Sequence, residues 1–324
     1  MRGLINVLCT MVLLMCVESV MAANEEVKIE AEWGKIYATL SLPEGGSDTA
    51  FVIVAGSGAT DRDGNSIAAG LKTYCYAMLS DELVKRGYAV LRYDKRAIGE
   101  SVIPQEDVPN LVFEDYVDDA ELVVEFLRAK GYKRVVMAGH SEGGLISLVV
   151  AERGRVALDG VVLLCAPGYG MDSILLTQLG EQLMPANITL MFQAERIIKS
   201  LKRGESVAVE SIPKELLGLF HPVVQPFIIS EMQYDPQALI AKCDEPVLII
   251  SGGNDVQVSL ANGEALFKAQ PRAEHRVFER MTHVLKDSDE RDRVKQILSV
   301  YSSSNMPINE GVATTIIEFV NNIK

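Results

Sequence analysis

Five short, almost unbroken apolar runs restrict the fold more than anything else in this sequence: Ala50 to Ala55, Tyr88 to Tyr93, Arg134 to Gly139, Leu158 to Cys165 and Pro246 to Ser251. A strand with one wet face alternates polar and apolar residues, so runs without alternation are expected of parallel strands buried on both faces. The segments between them read as helices. Phe113, Tyr116, Val117, Ala120, Val124 and Leu127 recur at helical spacing and form one apolar stripe, with Glu114, Asp115, Asp118 and Asp119 on the opposite face. Ser66 to Lys85 and Gly144 to Arg153 predict two further helices. A last helix follows Asn309 as candidate cap, with Val312, Ile316, Phe319, Val320 and Ile323 on one face. Val27 to Glu32 and Lys35 to Leu42 flank Trp33-Gly34 and predict an N-terminal hairpin. Alternating strands and helices imply a mostly parallel α/β sheet with helices on both faces. The alternation stops between residues 169 and 235, where helical patterns rich in Leu, Met and Gln predict a helical lid. The main α/β domain then comprises residues 23–168 and 236–324.

Composition narrows the function classes. The chain of 324 residues carries a formal net charge of −13. Nucleic acids and anionic membranes are bound through basic patches, so neither is an expected partner, and small-molecule chemistry is the default. Arg2 precedes an apolar stretch from Ile5 to Val17, and Val20-Met21-Ala22 before Ala23 fits a cleavage site. The stretch is shorter than the roughly 20 residues a membrane-spanning helix needs. Residues 1–22 are therefore predicted to be a signal peptide, the protein to be exported to a bacterial periplasm or secreted, and no membrane contact to remain after cleavage; an uncleaved anchor is the alternative. Met15 before Cys16 does not suit a lipoprotein signal, where that position is small. Cleavage leaves Cys75, Cys165 and Cys243, at most one disulfide, and Cys165 sits in an apolar run that suits a buried free thiol.

The chemistry is concentrated in Gly139-His140-Ser141-Glu142-Gly143, a G-x-S-x-G pattern directly after a predicted strand and before a predicted helix. So tight a turn strains the central residue and projects the Ser141 hydroxyl at the carboxyl edge of the sheet, as a nucleophile requires. A serine hydroxyl needs a base, and the chain offers four histidines. His140 lies inside the turn, His221 lies in the lid, and His275 falls in a strand of alternating polarity. His283, in the loop after that strand, is the candidate base. Asp255, in Gly252-Gly253-Asn254-Asp255 after an apolar strand, is the candidate carboxylate that orients it; Asp172 is the rival, and Asp287 and Asp289 belong to a charged run. An oxyanion site needs two backbone N–H donors. Glu142 N–H follows from the turn, and Ser57 N–H is the candidate from the loop Gly56 to Gly64. That loop lacks the Gly-Lys-Ser/Thr of a phosphate cradle, and Asp61, Arg62 and Asp63 read as ion-pairing anchors. No Cys or His cluster has zinc-like spacing, so neither metal nor organic cofactor is expected.

These segments resemble the α/β-hydrolase superfamily. Ala55 to Asn65, Arg92 to Ser101 and His221 to Pro236 further resemble bacterial carboxylesterases of the serine-aminopeptidase-like branch, over nearly all of the chain after residue 22. The resemblance implies an eight-stranded, mostly parallel sheet, a lid between the sixth strand and its helix, and hydrolysis of small-molecule carboxylic esters through an acyl-enzyme. It assigns Ser141 as nucleophile, Asp255 as acid and His283 as base. The chain has Ala55-Gly56 where the family often has His-Gly, and Arg96-Ala97 where it has Arg-Gly. Met171, Met184, Met191, Phe192, Phe220, Phe227 and Met232 of the lid would suit a short to medium acyl chain. Lid acids Glu181, Glu195, Glu205, Glu210 and Glu215 keep an amine-binding aminopeptidase open. An amidase, a thioesterase and a non-catalytic binding protein on the same fold also remain, and the oligomeric state is not legible.

Overall fold

A computed structural model of the protein describes residues 23–323. The predicted signal peptide and its cleavage site lie outside the described residues. The core is an eight-stranded sheet of β1 (Ala23–Ala31), β2 (Gly34–Leu42), β3 (Thr49–Val54), β4 (Ala89–Tyr93), β5 (Arg134–His140), β6 (Gly160–Leu164), β7 (Val247–Gly252) and β8 (Glu274–Phe278). Their spatial order is β1-β2-β4-β3-β5-β6-β7-β8. β1 and β2 form the expected hairpin, and β2 pairs antiparallel with β4. From β4 to β8 every pairing is parallel.

The unbroken apolar runs have the predicted cause. All residues of β3, β4, β6 and β7 are buried, whereas edge strand β8 is partly exposed. Side chains alternate across the sheet. Val52 and Val54 join one apolar core with helices α2 (Phe113–Ala129) and α3 (Glu142–Arg153), while Phe51 and Ile53 join the other with α1 (Cys75–Val84) and the C-terminal helix. The helix predicted over Ser66 to Lys85 is corrected to α1 alone. Asn65–Ser66 and Leu71–Lys72 pair as a small hairpin, and Gly64 and Gly70 at φ of 94° and 73° turn the chain where a helix would need negative φ.

Between β6, sixth in the sheet, and β7 the chain forms α4 (Met171–Leu183), α5 (Ile188–Lys202), the short α6 (Leu217–Phe220), α7 (Gln225–Glu231) and α8 (Pro236–Lys242). α4 to α7 enclose an apolar core of their own, including Leu179, Ile198, Phe220 and Met232. This layer is pinned to the sheet domain through α2. Phe227 packs on Tyr116 and Phe113, with ring centroids 5.0 and 6.0 Å apart, and Ser230 Oγ accepts the Phe113 N–H at 2.7 Å. After α9 (Leu260–Ala269), β8 and the short α10 (Arg293–Gln296), α11 (Glu310–Asn322) closes the chain. Asn309 caps α11 as expected, its side chain accepting the Gly311 N–H.

Candidate active site

Ser141 is the single residue between the last of β5 and the first of α3, with φ 54° and ψ −124°. A side-chain-bearing residue rarely adopts that conformation, which costs about 1–3 kcal/mol and is tolerated only where the surroundings enforce it. The surroundings here are glycines. A Cβ on Gly139 would lie 2.1 Å from the Gly143 carbonyl oxygen, and one on Gly143 would lie 2.2 Å from the Val54 carbonyl oxygen. Only this spacing of glycines lets β5, α3 and β3 meet so closely. Ser141 is held by its N–H on the Leu164 carbonyl at 2.9 Å and by its own carbonyl, which accepts the Gly144 N–H at 2.8 Å.

The loop after β8 brings His283 and the loop after β7 brings Asp255, as expected. His283 Nδ1–H donates to Asp255 Oδ2 at 2.7 Å, and both side chains are almost fully buried. The carboxylate accepts only, so the proton lies on Nδ1 and Nε2 is the basic nitrogen. Asp255 Oδ1 accepts the Gln257 and Val258 N–H groups at 2.8 and 2.9 Å, which fixes the carboxylate. The rivals are engaged elsewhere. Asp172 pairs with Lys202 at 3.1 Å, Asp289 with Arg280, and Asp287 accepts from Asn309. His275 bonds Ser251 Oγ, and exposed His221 accepts the Val223 N–H.

His140 does more than fill the turn. Its Nε2–H donates to the His283 carbonyl at 2.7 Å, so Nδ1 accepts from the Tyr76 hydroxyl, also at 2.7 Å, and the Tyr76 oxygen accepts the Gly56 N–H at 3.0 Å. One chain of hydrogen bonds thus joins the base loop, the nucleophile turn and the Gly56 loop. Burial, with the neighbouring His283 ring, pushes the His140 pKa down to about 3. It is neutral at pH 7, as the network requires.

Ser57 lines the same cavity as Ser141, Glu142 and His283. Gly56 explains the close approach, since a Cβ there would sit 3.1 Å from Ser141 Cβ. Neither the Ser57 nor the Glu142 N–H donates to a backbone carbonyl among the described residues, and Glu142 stands at the N-terminus of α3, where unpaired N–H groups and the helix dipole favour negative charge. The Gly56 to Gly64 loop is anchored by ion pairs of Arg62 and Asp63 as predicted, whereas Asp61 forms none among the described residues and instead accepts the Asp63 and Asn65 N–H groups at 2.9 and 2.8 Å. Arg62 pairs with Asp94 at 3.1 Å, Glu26 at 2.8 Å and Glu100, and Arg92 pairs with Asp63. Ala97 takes φ 67°, a left-handed conformation that suits the glycine of the related pattern better than alanine.

The cavity, of about 470 Å³, is roofed by the lid and walled by apolar side chains such as Leu145, Leu175, Leu219 and Phe227. Of the seven apolar lid residues proposed for the acyl group, Met171 and Phe227 line it. Phe220 and Met232 are lid core with Met191 packed against them, and Met184 and Phe192 are exposed. The lid acids proposed to meet a substrate amine do not line it either. Glu181 borders a neighbouring groove, and Glu195 and Glu205 pair with Lys199 and Arg203. The lid acid that does line the cavity is Glu231, missed in the sequence although it continues the face of Phe227 and Ile228 at helical spacing. Burial, reinforced by Glu142, raises its pKa well above the usual carboxylate value. Lys95 was missed as well. It sits immediately past the carboxyl end of β4, where open α/β sheets place their ligands.

His140, Cys165 and His283 bring potential metal-ligating atoms within 4.8 Å of one another. Their chemistry does not fit a metal centre: both His140 nitrogens and His283 Nδ1 are already hydrogen-bonded, and burial keeps Cys165 a thiol.

Residues 69–289 match the family described as Serine aminopeptidase, S33. Esterase EstD of Thermotoga maritima is 29% identical over 271 residues, covering 81% of this chain, and the chain spans 60% of that relative's length. Among solved structures, Est1E of Butyrivibrio proteoclasticus with ferulic acid bound superposes with a TM-score of 0.59 at 18% identity, covering 91% of this chain and all of that one (100%). The proline iminopeptidase of Mycobacterium smegmatis gives 0.58 at 13% identity, covering 92% and 98%. At such identities these two likenesses speak for the fold alone.

Proposed function

This chain belongs to the Serine aminopeptidase, S33 family and has the α/β-hydrolase fold, and from that premise we propose that it hydrolyses carboxylic esters through Ser141, His283 and Asp255. His283 Nε2 takes the Ser141 proton as Oγ attacks the ester carbonyl. The Ser57 and Glu142 amides hold the oxyanion, and Asp255 stabilises the imidazolium. The imidazolium then protonates the departing alcohol. Water, deprotonated by the same nitrogen, cleaves the acyl-enzyme and returns Ser141. The supporting observation is the 2.7 Å bond from buried Asp255 to His283, which lines the same cavity as the strained Ser141. Its apolar walls suit a short to medium acyl group.

An ester rather than an aminoacyl substrate follows from the lining of the cavity. Its largely apolar walls favour an ester, and the lid acids Glu181, Glu195, Glu205, Glu210 and Glu215 do not line it. Burial raises the pKa of Glu231, the lid acid that does, which disfavours the carboxylate an aminopeptidase would offer a substrate ammonium. The test is fluorophosphonate labelling of wild type and Ser141→Ala, paired with turnover of short p-nitrophenyl esters against aminoacyl p-nitroanilides. The expected result is labelling and ester turnover in wild type only. A folded wild type that takes no label would leave a binding protein, and faster anilide turnover would make it a peptidase.

A further inference from the structure

Lys95 is among the most deeply buried side chains of the molecule, at 1% exposure. Its Nζ donates to the Gly56 carbonyl at 2.7 Å and to Glu142 Oε1 at 2.7 Å, and stands 4.6 Å from the centroid of the Tyr116 ring. Burying an ammonium and a carboxylate is costly even when they are paired, and a hydrophobic pair of similar volume is often no less stable. Stability therefore does not account for this pair, but its position does.

The two groups it touches adjoin the two proposed oxyanion donors, the Ser57 and Glu142 N–H groups. The Gly56 carbonyl and the Ser57 N–H belong to one planar peptide, trans as at every described bond except Met184–Pro185. In a trans peptide the carbonyl and the N–H point in opposite directions, so fixing the oxygen on one side aims the N–H to the other. The Glu142 side chain held by the same Nζ belongs to the residue whose own amide is the second donor. The preceding peptide is fixed too, through the Gly56 N–H on Tyr76 and His140. Lys95 is thus the link that joins the β3 loop to the start of α3 from below the cavity.

We propose that Lys95 is a positioning residue that sets the oxyanion hole by clamping the Gly56–Ser57 peptide against Glu142. The proposal rests on the ester-hydrolase reading of the site. An oxyanion donor acts on the tetrahedral state far more than on the bound ester, so its misplacement lowers kcat and leaves KM.

The experiment compares wild type, Lys95→Met and the double variant Lys95→Met/Glu142→Gln, which removes the carboxylate left unpaired. Each is followed by thermal melting, p-nitrophenyl acetate kinetics and inhibition by a phenylboronic acid that forms a tetrahedral adduct on serine. The expected result for both variants is a loss of kcat of about 10²-fold, KM within about threefold, and boronate affinity weakened in proportion to kcat. The clamp is overturned by a folded Lys95→Met with kcat within about threefold of wild type, or by a parallel loss in kcat and ester binding. Recovery of kcat in the double variant would do the same, because Lys95 would then serve only to neutralise Glu142. A wild type without ester turnover or labelling overturns the underlying reading, and the clamp with it.

Discussion

At the scale of the residue, the site combines groups that announce themselves in the sequence with groups that do not. Ser141, His283 and Asp255 were legible because each sits at a turn whose chemistry is local: a strained strand-to-helix turn, and loops at the carboxyl ends of two strands. Tyr76, Lys95 and Glu231 were not, because their roles depend on partners far along the chain that only the sheet order brings together. His140 shows the difference in one side chain. Its place beside Ser141 is written in the pattern, but its bonds to Tyr76 and the His283 carbonyl are not. The burial of that side chain beside the His283 ring carries a pH dependence with a definite sign. The folded protein holds His140 neutral down to about pH 3, whereas in the unfolded chain it takes a proton near its ordinary value of about 6.5. Acidification below about 6.5 thus protonates the unfolded state preferentially and destabilises the fold, at about 1.4 kcal/mol per pH unit, or about 2 kcal/mol by pH 5. Denaturant melts are expected to lose about 2 kcal/mol in all between pH 7.5 and 5, nearly all of it below about pH 6.5, and His140→Gln, whose amide can still donate to the His283 carbonyl, is expected to lose the slope along with some stability. An unchanged slope in the variant would mean that His140 titrates normally in the folded protein.

At the scale of the element, buried strands were the easiest feature to read, since burial on both faces leaves unbroken apolar runs too short for a typical helix, recurring between helical segments. The helix assigned to Ser66–Lys85 was too long because amphipathic spacing continues through a segment whose glycines turn the backbone instead. The lid was legible as an interruption of the strand–helix alternation, but its apolar residues could not be sorted in advance. A helix that packs on lid core and also roofs a cavity presents apolar groups to both, and α7 does so with Ile228 in the lid core and Phe227 on Tyr116. What ties α7 down is specific. The Phe113 N–H, unpaired by its own helix at the N-terminus of α2, is accepted by Ser230 Oγ. Ser230→Ala is expected to cost about 1 kcal/mol and to loosen α7 rather than the sheet. Amide hydrogen exchange would show faster exchange in α7 and at Phe113 with β3 and β5 unchanged; a uniform loss of protection would mean that lid and sheet unfold as one unit.

At the scale of the whole molecule, the sheet, its two flanking cores and the separate lid core leave the cavity as the seam between two packed bodies of one chain. The formal net charge of −13 gives a field that repels anions from the seam rather than steering them toward it. The thiols connect this architecture to the proposed export. Cys75, Cys165 and Cys243 are all buried and free, as the position of Cys165 in an apolar run suggested. Burial pushes Cys75 up to about 11 and Cys243 up to about 12, and burial with the nearby Asp255 raises Cys165 well above the usual thiol value. Only a thiolate attacks a disulfide reagent, so at pH 8 the native protein presents almost none, and three free thiols can persist in an oxidising compartment. Ellman's reagent at pH 8 is expected to find essentially no reactive thiol in the native protein. In guanidinium the expected number reports on the N-terminus as well, because Cys9 and Cys16 precede the proposed cleavage after Ala22. Exported protein cleaved there titrates three thiols; five would mean that residues 1–22 are retained as an anchor, and one would mean a disulfide between two of the cysteines that are buried and free in this structure.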